Sequence, residues 1–498
     1  MRKFLPAALV AVAVTAGAPA VAAPRAALTW GVCPADVTAP GLRCSTLDVP
    51  LDYRHPDGPT ISVAVSKLAS ADPAKRRGVL LLNQGGPGLT GLDFAATLVK
   101  GGLPQAVRDS YDLIGFDPRG IGHSTPLTCD LTPEQRGTAL NPPTPRTAAD
   151  VVTAAGTAET VARQCAGSAT GGLLPHITTA NTARDVDRIR AALGEPKISY
   201  YGASYGTYLG AVYATLFPDR GDRIVLDSSL GPDGYDVDAL RSQALGFQTR
   251  FPDFAKVAAA EPAKYGLGAT PAAVTAKFFE LAGRLDESPV QGIDGTTFRT
   301  VTAFYLRSEA LLPGLAELWH DLDTNQPAKP AAAAAETTDN FAAGYLGVVC
   351  GDSKWPGSVR TYQRTVAVDG IRYPMYGAFA ANIRPCAFWP APSEPRVRIG
   401  DRGPSDVLMV QNLRDPATPL PGALRLRSAF GDRARLVTVD QGGHGVYVFA
   451  TNKCGNDSVT DYLVTGRRAG HDTFCAADQG LYRSRLHGPP RVMRKSGW

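Results

Sequence analysis

The sequence has few charged residues and carries little net charge for its length. Asp, Glu, Lys and Arg make up 19% of its 498 residues, below the ~25% that is usual for soluble proteins. The formal net charge is +5, and it would fall to +3 if Arg2 and Lys3 were removed with a leader. So small a charge does not indicate nucleic acid as a partner. The hydrophobic content of 44% excludes a mainly disordered chain.

The sequence also lacks apolar segments long enough to span a membrane, and its most apolar segment lies at the N-terminus. There Arg2 and Lys3 precede the apolar run Phe4–Ala16, and small residues follow at Ala20–Ala22. The run is shorter than the ~20 residues that span a bilayer. We therefore expect a secretory signal peptide over residues 1–22, cleaved near Ala22. The mature protein would be secreted, without stable membrane insertion.

Close Cys-x-x-Cys pairs, which are typical of zinc sites, are absent from the sequence. We therefore expect no metal, because an even number of cysteines in an exported chain favours disulfides. Eight cysteines allow many pairings, and the simplest scheme joins neighbours along the chain. That scheme pairs Cys33 with Cys44, Cys129 with Cys165, Cys350 with Cys386, and Cys454 with Cys475.

Short β-rich segments bounded by Gly, Pro and Asp alternate with helical segments along much of the chain. The residues Thr182–Leu193 predict a helix, because Val186, Ile189 and Leu193 fall on one helical face. Strands that alternate with helices favour an α/β fold with a mostly parallel central sheet. The predicted strands are Leu47–Leu51, Ile61–Val65, Val79–Leu82, Leu113–Phe116, Ile198–Tyr201, Ile224–Leu226, Val407–Gln411 and Leu436–Val439.

Residues 235–398 differ from the rest, since strand-like segments are scarce there and Ala-rich helical segments dominate. Examples are Pro271–Leu285 and Val301–Leu322, and the Ala/Pro segment Pro327–Ala335 predicts a loop. This pattern indicates a helical cap inserted into the α/β core. We divide the chain into a signal peptide (1–22), a first core part (23–234), the cap (235–398) and a second core part (399–498) with a basic C-terminal tail.

The sequence ISYYGASYGTYLG contains the pattern Gly-x-Ser-x-Gly at Gly202–Gly206. The pattern alone is weak evidence, but a β-rich segment precedes it and the helix-compatible segment Thr207–Ala214 follows. A strand, a sharp turn and a helix with serine at the apex form a nucleophile elbow. We therefore expect Ser204 to be a catalytic nucleophile.

A serine nucleophile needs a base and an acid that orients the base. With an elbow of this kind, the acid and the histidine follow the serine along the chain. His444 lies between two glycines just after a predicted strand, and Asp415 follows the strand Val407–Gln411. We expect these two residues to complete a triad with Ser204. The less suitable candidates are His471, His487, Asp406, Asp432 and Asp440.

The sequence GVLLLNQGGPG places a buried strand before the glycine-rich loop Asn83–Gly88. A developing oxyanion needs two N–H donors, and we assign them to Gly86 and Tyr205. The side chain of Tyr205 is expected to line the site as well. No Gly-Lys-Ser/Thr follows the loop and no dinucleotide fingerprint opens the first helix, so we expect no cofactor.

These motifs, together with GFDPRGIGHS, RDPATP and GGHG, resemble the proline iminopeptidase branch of the α/β-hydrolases. In detail the chain resembles the secreted tripeptidyl aminopeptidases over nearly all of its mature length. The resemblance implies an α/β-hydrolase with a cap inserted before the acid, and cleavage of short peptides from free N-termini. It also supports the pair Cys350 and Cys386. Gln84 stands where the iminopeptidases have His, and Ser228 stands where relatives often have Gly.

An aminopeptidase must recognise a free ammonium, which requires a carboxylate or several carbonyls at a fixed distance from the nucleophile. In the cap, Asp352 and Glu309 are the candidates. Asp117 and Arg119 of the DPRG turn are expected to form a structural pair beneath the oxyanion loop.

The leading interpretation is a monomeric secreted serine peptidase that removes short peptides, tripeptides by the resemblance, from peptide or protein N-termini. A carboxylesterase or lipase-like hydrolase is the first alternative, because the same triad cleaves esters. A hydrolase fold used only for binding is the second, although such a protein would usually lose a triad residue.

Overall fold

The computed structural model describes residues 28–326, 337–404 and 406–478. The expected signal peptide, the Ala/Pro segment of the cap and the basic C-terminal tail lie outside these residues.

A nine-stranded sheet forms the centre of the described part of the protein. Its strands are β1 (Leu42–Pro50), β2 (Thr60–Leu68), β3 (Gly78–Asn83), β4 (Tyr111–Phe116), β5 (Ile198–Ala203), β6 (Gly221–Asp227), β7 (Asp406–Arg414), β8 (Ala434–Gly442) and β9 (Thr473–Cys475). They lie in the order β1-β2-β4-β3-β5-β6-β7-β8-β9. The pairs β1–β2 and β2–β4 are antiparallel and all others are parallel. The mostly parallel sheet confirms the predicted fold class, and the short β9 is the one strand that the sequence pattern missed.

Helices cover the sheet and fill the segment between β6 and β7. The core helices are α1 (Phe94–Gly101), α2 (Gln105–Ser110), α3 (Pro133–Leu140), α4 (Ala148–Gly167), α5 (Thr179–Ala192), α6 (Tyr205–Leu216), α15 (Leu420–Phe430) and α16 (Lys453–Thr465). The helices between β6 and β7, which we call the cap, are α7 (Val237–Ala260), α8 (Pro262–Tyr265), α9 (Pro271–Glu287), α10 (Gly295–Tyr305), α11 (Leu312–Thr324), α12 (Asp339–Gly351), α13 (Val359–Arg372) and α14 (Gly377–Ala380). Among the described residues, no helix combines the length and the apolar character needed to cross a membrane.

The central strands are apolar at successive positions because both faces of the sheet are buried. Side chains alternate between the faces along a strand. Thus Val79 and Leu81 of β3 join the cluster beneath α5 and α6, whereas Leu80 and Leu82 join the cluster beneath α1 and α16. This packing fixes the carboxyl ends of the parallel strands at one edge of the sheet.

The cap has an aromatic core of its own, in which Phe251, Phe278 and Trp319 pack together. Helix α12 behaves differently, because its Leu346 and Val349 join the cluster that covers the sheet. The segment between β6 and β7 therefore contains both an independently packed part and a helix that belongs to the core packing.

The prediction of one helix over Val301–Leu322 was wrong. Helix α10 ends at Tyr305, a 3₁₀ turn follows at Glu309–Leu311, and α11 begins at Leu312. Pro313 lies in the first turn of α11, where the missing N–H of proline costs no hydrogen bond. The break creates a loop that contacts the ends of the central strands.

Disulfides join the cysteines in the scheme of neighbours along the chain, and no described cysteine is free. The bonds are Cys33–Cys44, Cys129–Cys165, Cys350–Cys386 and Cys454–Cys475.

Candidate active site

Ser204 lies at a sharp turn between β5 and α6. Its φ of 57° and ψ of −125° are values that residues other than glycine rarely adopt. A methyl group on Gly202 would lie 2.3 Å from the Gly206 carbonyl oxygen, and one on Gly206 would lie 2.5 Å from the Asn83 carbonyl oxygen. Both glycines of the Gly-x-Ser-x-Gly pattern are therefore required by close packing. The turn presents Ser204 at the carboxyl end of β5.

Asp415 and His444 follow the neighbouring parallel strands β7 and β8. His444 Nδ1 lies 3.0 and 2.9 Å from the two carboxylate oxygens of Asp415. The N–H groups of Ala417 and Thr418 donate to the same buried carboxylate at 2.8 and 2.9 Å. Burial acts to raise the pKa of Asp415, but the charge and hydrogen bonds of His444, with those N–H donors, hold it below its usual value. The ionised carboxylate fixes the imidazole ring.

Asp227, at the end of β6, connects the serine turn to the loop that follows β8. Its carbonyl oxygen accepts the N–H of Ser204 at 2.9 Å. Its buried carboxylate accepts the N–H groups of Val446 at 2.9 Å and Tyr447 at 2.8 Å. Burial raises the pKa of Asp227 to about 6, and these hydrogen bonds act against the rise. Sequence reasoning missed this role, because the acceptor and its donors are far apart in the chain.

Ser228, which follows β6, binds both the histidine loop and the aspartate loop. Its hydroxyl oxygen accepts the N–H of Gly445 at 2.8 Å, and its carbonyl oxygen accepts the hydroxyl of Thr418 at 2.9 Å. The hydroxyl, which a glycine lacks, therefore adds a bond to the histidine loop, and the backbone of the same residue binds the aspartate loop.

Among the described residues, no hydrogen bond joins Ser204 Oγ to His444. Catalytic hydrogen bonds are often long before substrate binds and shorten in the complex. The contacts of Asp227 and Ser228 place the three loops at the same strand ends, so Ser204, Asp415 and His444 converge there.

The glycine-rich loop after β3 packs against the serine turn. A methyl group on Gly85 would lie 2.6 Å from the carbonyl oxygen of Ala203. The N–H of Gly85 donates to the Asn83 side chain at 3.1 Å. In the described part of the chain, the N–H groups of Gly86 and Tyr205 donate to no other residue. Tyr205 is the first residue of α6, where an N–H has no acceptor within the helix. These two donors remain available to an oxyanion.

The side chain of Tyr205 does not line the site as the sequence analysis expected. It is buried, and its hydroxyl oxygen lies 2.6 Å from Thr179 Oγ1. The cause is the helical turn at Tyr205, which directs its N–H and its side chain to different sides.

The predicted pair of Asp117 and Arg119 was also wrong. Arg119 binds both carboxylate oxygens of Asp185 at 2.7 and 2.6 Å, and both side chains are fully buried. Asp117 instead accepts the N–H groups of Gly91 at 2.7 Å and His123 at 2.8 Å. Asp117 thus fixes the segment that follows the glycine-rich loop, through backbone donors rather than through arginine.

Asp352 is a partly buried carboxylate beneath the serine helix. It accepts the N–H of Thr179 at 2.7 Å and the Thr179 hydroxyl at 2.5 Å. Burial raises its pKa to about 6. Because Thr179 also contacts the Tyr205 hydroxyl, Asp352 supports the underside of α6.

Glu309 lies near the histidine loop on the cap side. Two residues before it, the carbonyl oxygen of Arg307 accepts the N–H of His444 at 2.7 Å. One carboxylate oxygen of Glu309 accepts from Arg250 at 2.9 Å, and its side chain is 36% exposed. The Glu309 carboxylate is therefore accessible to solvent close to the histidine loop.

Glu309 belongs to a network of charges that joins the cap to the strand ends. The buried Arg250 also binds Asp253 at 2.6 Å, and Arg414 joins Asp253 at 2.8 Å to Asp440 at 2.6 Å. Two guanidinium groups and three carboxylates make up this network, so one negative charge is in excess.

Cap residues contact the aspartate loop and the glycine-rich loop as well. A methyl group on Gly246 of α7 would lie 2.5 Å from the Pro416 carbonyl oxygen. One on Gly88 would lie 2.9 Å from the Phe341 carbonyl oxygen and 3.0 Å from the Tyr345 nitrogen of α12. The cap thus contacts the histidine loop, the aspartate loop and the glycine-rich loop.

The order of the strands and the turn at Ser204 are those of the α/β-hydrolases, and the protein is a serine hydrolase of this class. A family model described as TAP-like protein matches residues 373–475. The tripeptidyl aminopeptidase of Streptomyces lividans is 37% identical over 474 residues, which cover 92% of this chain and 88% of the relative. The chain therefore belongs to the tripeptidyl aminopeptidase family and is a peptidase, as the sequence motifs predicted.

Two other relatives cover most of the chain. Serine protease Hip1 of Mycobacterium tuberculosis is 30% identical, over 86% of this chain and 86% of its own length. Carboxylesterase B of the same species is 31% identical, over 93% of this chain and 92% of its own length. The relatives thus carry names from both peptidase and esterase chemistry.

Proposed function

We propose that this protein is a secreted exopeptidase that releases tripeptides from the free N-termini of peptides and proteins. The observation that carries the proposal is the Asp415–His444 pair, with Nδ1 2.9 Å from the carboxylate, at the strand ends that hold the Ser204 turn. Membership in a family that includes tripeptidyl aminopeptidases supports the exopeptidase activity. The four disulfides support secretion, in agreement with the signal peptide expected from the N-terminal sequence.

In the proposed reaction, Ser204 Oγ attacks the carbonyl carbon of the scissile bond while His444 Nε2 takes its proton. Asp415 holds the imidazole by Nδ1 and stabilises the imidazolium that forms. The N–H groups of Gly86 and Tyr205 donate to the oxyanion. The imidazolium then protonates the amine of the C-terminal fragment, which leaves. The N-terminal tripeptide stays bound to Ser204 as an ester until water, activated by His444, hydrolyses that ester.

Of the two cap carboxylates, Glu309 is the better partner for the substrate ammonium. Its second oxygen has no hydrogen bond from a described residue, its side chain is partly exposed, and its network has an excess negative charge. Both oxygens of Asp352 already accept from Thr179. A substrate would have to break those bonds to bind Asp352, so we assign Asp352 a supporting role.

A carboxylesterase is the second candidate function, favoured by the 31% identity to Carboxylesterase B. The triad and the oxyanion donors would act on an ester carbonyl in the same way. The two functions differ in what the enzyme requires beyond the carbonyl, because an esterase needs no free ammonium.

Digestion of a synthetic nonapeptide with a free N-terminus tests the proposal. Mass spectrometry should show successive loss of three residues from the N-terminus, and a serine-reactive phosphonate should label Ser204 and stop the reaction. Ser204→Ala serves as the control for contaminating peptidases. If the nonapeptide stayed intact while the enzyme hydrolysed a p-nitrophenyl ester rapidly, the esterase function would be supported instead.

A further inference from the structure

Arg307, between α10 and the 3₁₀ turn, has an unusual place among the arginines near the site. Its carbonyl oxygen binds the N–H of His444 at 2.7 Å, which fixes its backbone at the histidine loop. Its side chain is partly exposed. Arg250 and Arg414 nearby each bind two carboxylates, but no described carboxylate lies within ion-pair distance of Arg307.

Three tyrosines between β6 and β7 lie close to the catalytic loops or to helices that contact them. Tyr235 accepts the Gln243 amide at 2.8 Å, and that amide also reaches the carbonyl oxygen of Ala417 in the aspartate loop at 3.4 Å. Tyr345, whose backbone nitrogen approaches the glycine-rich loop, packs edge-on against Tyr235 at 6.2 Å between ring centroids.

Tyr376 stacks on Phe247 of α7 at 5.0 Å between centroids. Phe247 follows Gly246, the residue in contact with the Pro416 carbonyl. Tyr376 therefore packs on the helix that contacts the aspartate loop.

The positive charge of Arg307 acts to lower the pKa of all three tyrosines. Burial raises the pKa of Tyr376 to about 12, and the positive charges of Arg384 and Arg307 act against the rise. The same two arginines act in the same direction on Tyr235 and Tyr345. The contact of its backbone with His444 places Arg307 beside the histidine loop, and its charge acts on tyrosines near the catalytic loops.

Arg384 is not an equivalent cation, because its position is already determined by the protein. It is buried, it donates to the carbonyl oxygen of Leu140, and it packs on the ring of Phe379 at 5.4 Å. Arg307 is thus a partly exposed cation at the histidine loop that has no carboxylate partner among the described residues.

We propose that Arg307 binds a carboxylate of the peptide substrate and gives the enzyme a preference for acidic peptides. A guanidinium offers two parallel N–H donors to a carboxylate, and such bonds are strong where water is partly excluded. This inference rests on the proposed exopeptidase function and deepens it. Glu309 attracts the ammonium of the substrate, and Arg307, two residues away, attracts an anionic group. That group is an acidic side chain or the C-terminal carboxylate of a short peptide.

Pairs of substrates that differ only in one carboxylate test the inference. In tripeptide anilides, which have no terminal carboxylate, Glu is compared with Gln at each position. In hexapeptides, a free C-terminus is compared with its amide. We expect kcat/KM to favour the acid over the neutral partner by about tenfold or more in at least one comparison, as a charge-assisted bond would give. The comparison that shows the preference identifies the source of the carboxylate.

Substitutions of Arg307 test whether its side chain causes the preference for acidic substrates. Arg307→Gln should reduce the preference to within about twofold, whereas Arg307→Lys should keep part of it because the charge remains. Arg364→Gln, an exposed arginine of α13, removes the same charge from the cap and should leave the preference unchanged. Equal rates for acid and neutral partners in the wild type, or a preference that persists in Arg307→Gln, would overturn the inference.

A further pair of substrates separates this inference from the proposed function. The p-nitrophenyl monoester of adipic acid and the corresponding adipamide ester need no ammonium site and no peptide cleavage. If the enzyme cleaved no peptide, the exopeptidase proposal would fail, and a preference for the acid ester that depends on Arg307 would still support carboxylate binding. Equal cleavage of the two esters, in an enzyme without peptidase activity, would reject it.

Discussion

The sheet core and the cap use their buried charges in different ways. In the core, the carboxylates of Asp227 and Asp415 are surrounded by donors from the catalytic loops, so their positions are determined by the protein alone. In the cap, Glu309 is 36% exposed and Arg307 has no carboxylate partner among the described residues. In our proposal the core performs the same reaction on any acyl group, whereas charges of the cap choose the substrate.

Substitution in the core should therefore affect all substrates equally. Ser204→Ala should lower kcat by at least ~10⁴-fold, since only binding and the oxyanion donors remain. The loss should be the same for a free-amine tripeptide anilide and for a p-nitrophenyl ester, measured with enzyme of unchanged thermal unfolding temperature. Retention of either activity would show that another nucleophile acts on that substrate, which would break the comparison.

Asp415→Asn should be the next largest loss, ~10³–10⁴-fold in kcat on both substrates, because the amide cannot hold the imidazole in the correct tautomer. Asp440→Asn is the matched control. Asp440 also lies near the strand ends, but it binds Arg414 rather than His444. We expect the control to keep activity within about tenfold. An Asp415→Asn enzyme with more than about a tenth of wild-type kcat would contradict the assignment.

Asp352 allows a test of its supporting role through stability. Burial raises its pKa to about 6, above the ~3.9 of an unfolded chain. Between these values the folded state binds more protons, so its stability falls as pH rises through the window. Asp352→Asn has no carboxyl group to titrate at this position and avoids that fall in stability. Its free energy of unfolding, relative to that of the wild type, should therefore rise by up to ~3 kcal/mol from pH 4 to 7.

Urea unfolding of both proteins at several pH values measures this difference. A difference in the free energy of unfolding that does not vary with pH would contradict the assignment of a buried carboxylate with a raised pKa. Asp352→Asn should also retain discrimination between free and acetylated peptides, since the side chain does not contact the ammonium in the proposed arrangement.

Glu309→Gln should produce the smallest of these effects and the most selective one. Loss of an exposed carboxylate partner should lower the preference for free over acetylated tripeptide anilides by about tenfold, mainly through KM. Asp352→Asn is the matched control, being the other cap carboxylate considered for this role. If Asp352→Asn lowered the preference and Glu309→Gln did not, the two carboxylates would exchange roles.

The core was more predictable from the sequence than the cap. Strand patterns and short glycine-rich motifs are local, so β3, β5, β7 and β8 and the loops that carry Ser204, Asp415 and His444 could be located. Asp227 could not be recognised as a positioning residue, because it is 219 residues away from the Val446 N–H that it accepts.

In the cap, the helix break after α10 could not be predicted from hydrophobic periodicity, although Pro313 was a usable signal. The break determines where Arg307 and Glu309 lie, and Arg250 contacts Glu309 from 59 residues away. The proposed specificity thus depends on contacts between distant segments, whereas the residues of the proposed reaction follow local sequence patterns.

The most direct test of this division is the rate of the wild-type enzyme on three substrates: a free-amine tripeptide anilide, its N-acetyl form and a p-nitrophenyl ester. The account predicts that acetylation lowers kcat/KM by at least ~10²-fold, which is ~2.7 kcal/mol, because the ammonium of the peptide is lost. The ester, which lacks an ammonium and has a better leaving group, should still be hydrolysed through Ser204. Equal cleavage of the free and acetylated anilides would contradict the account, since the cap would then not select a peptide N-terminus.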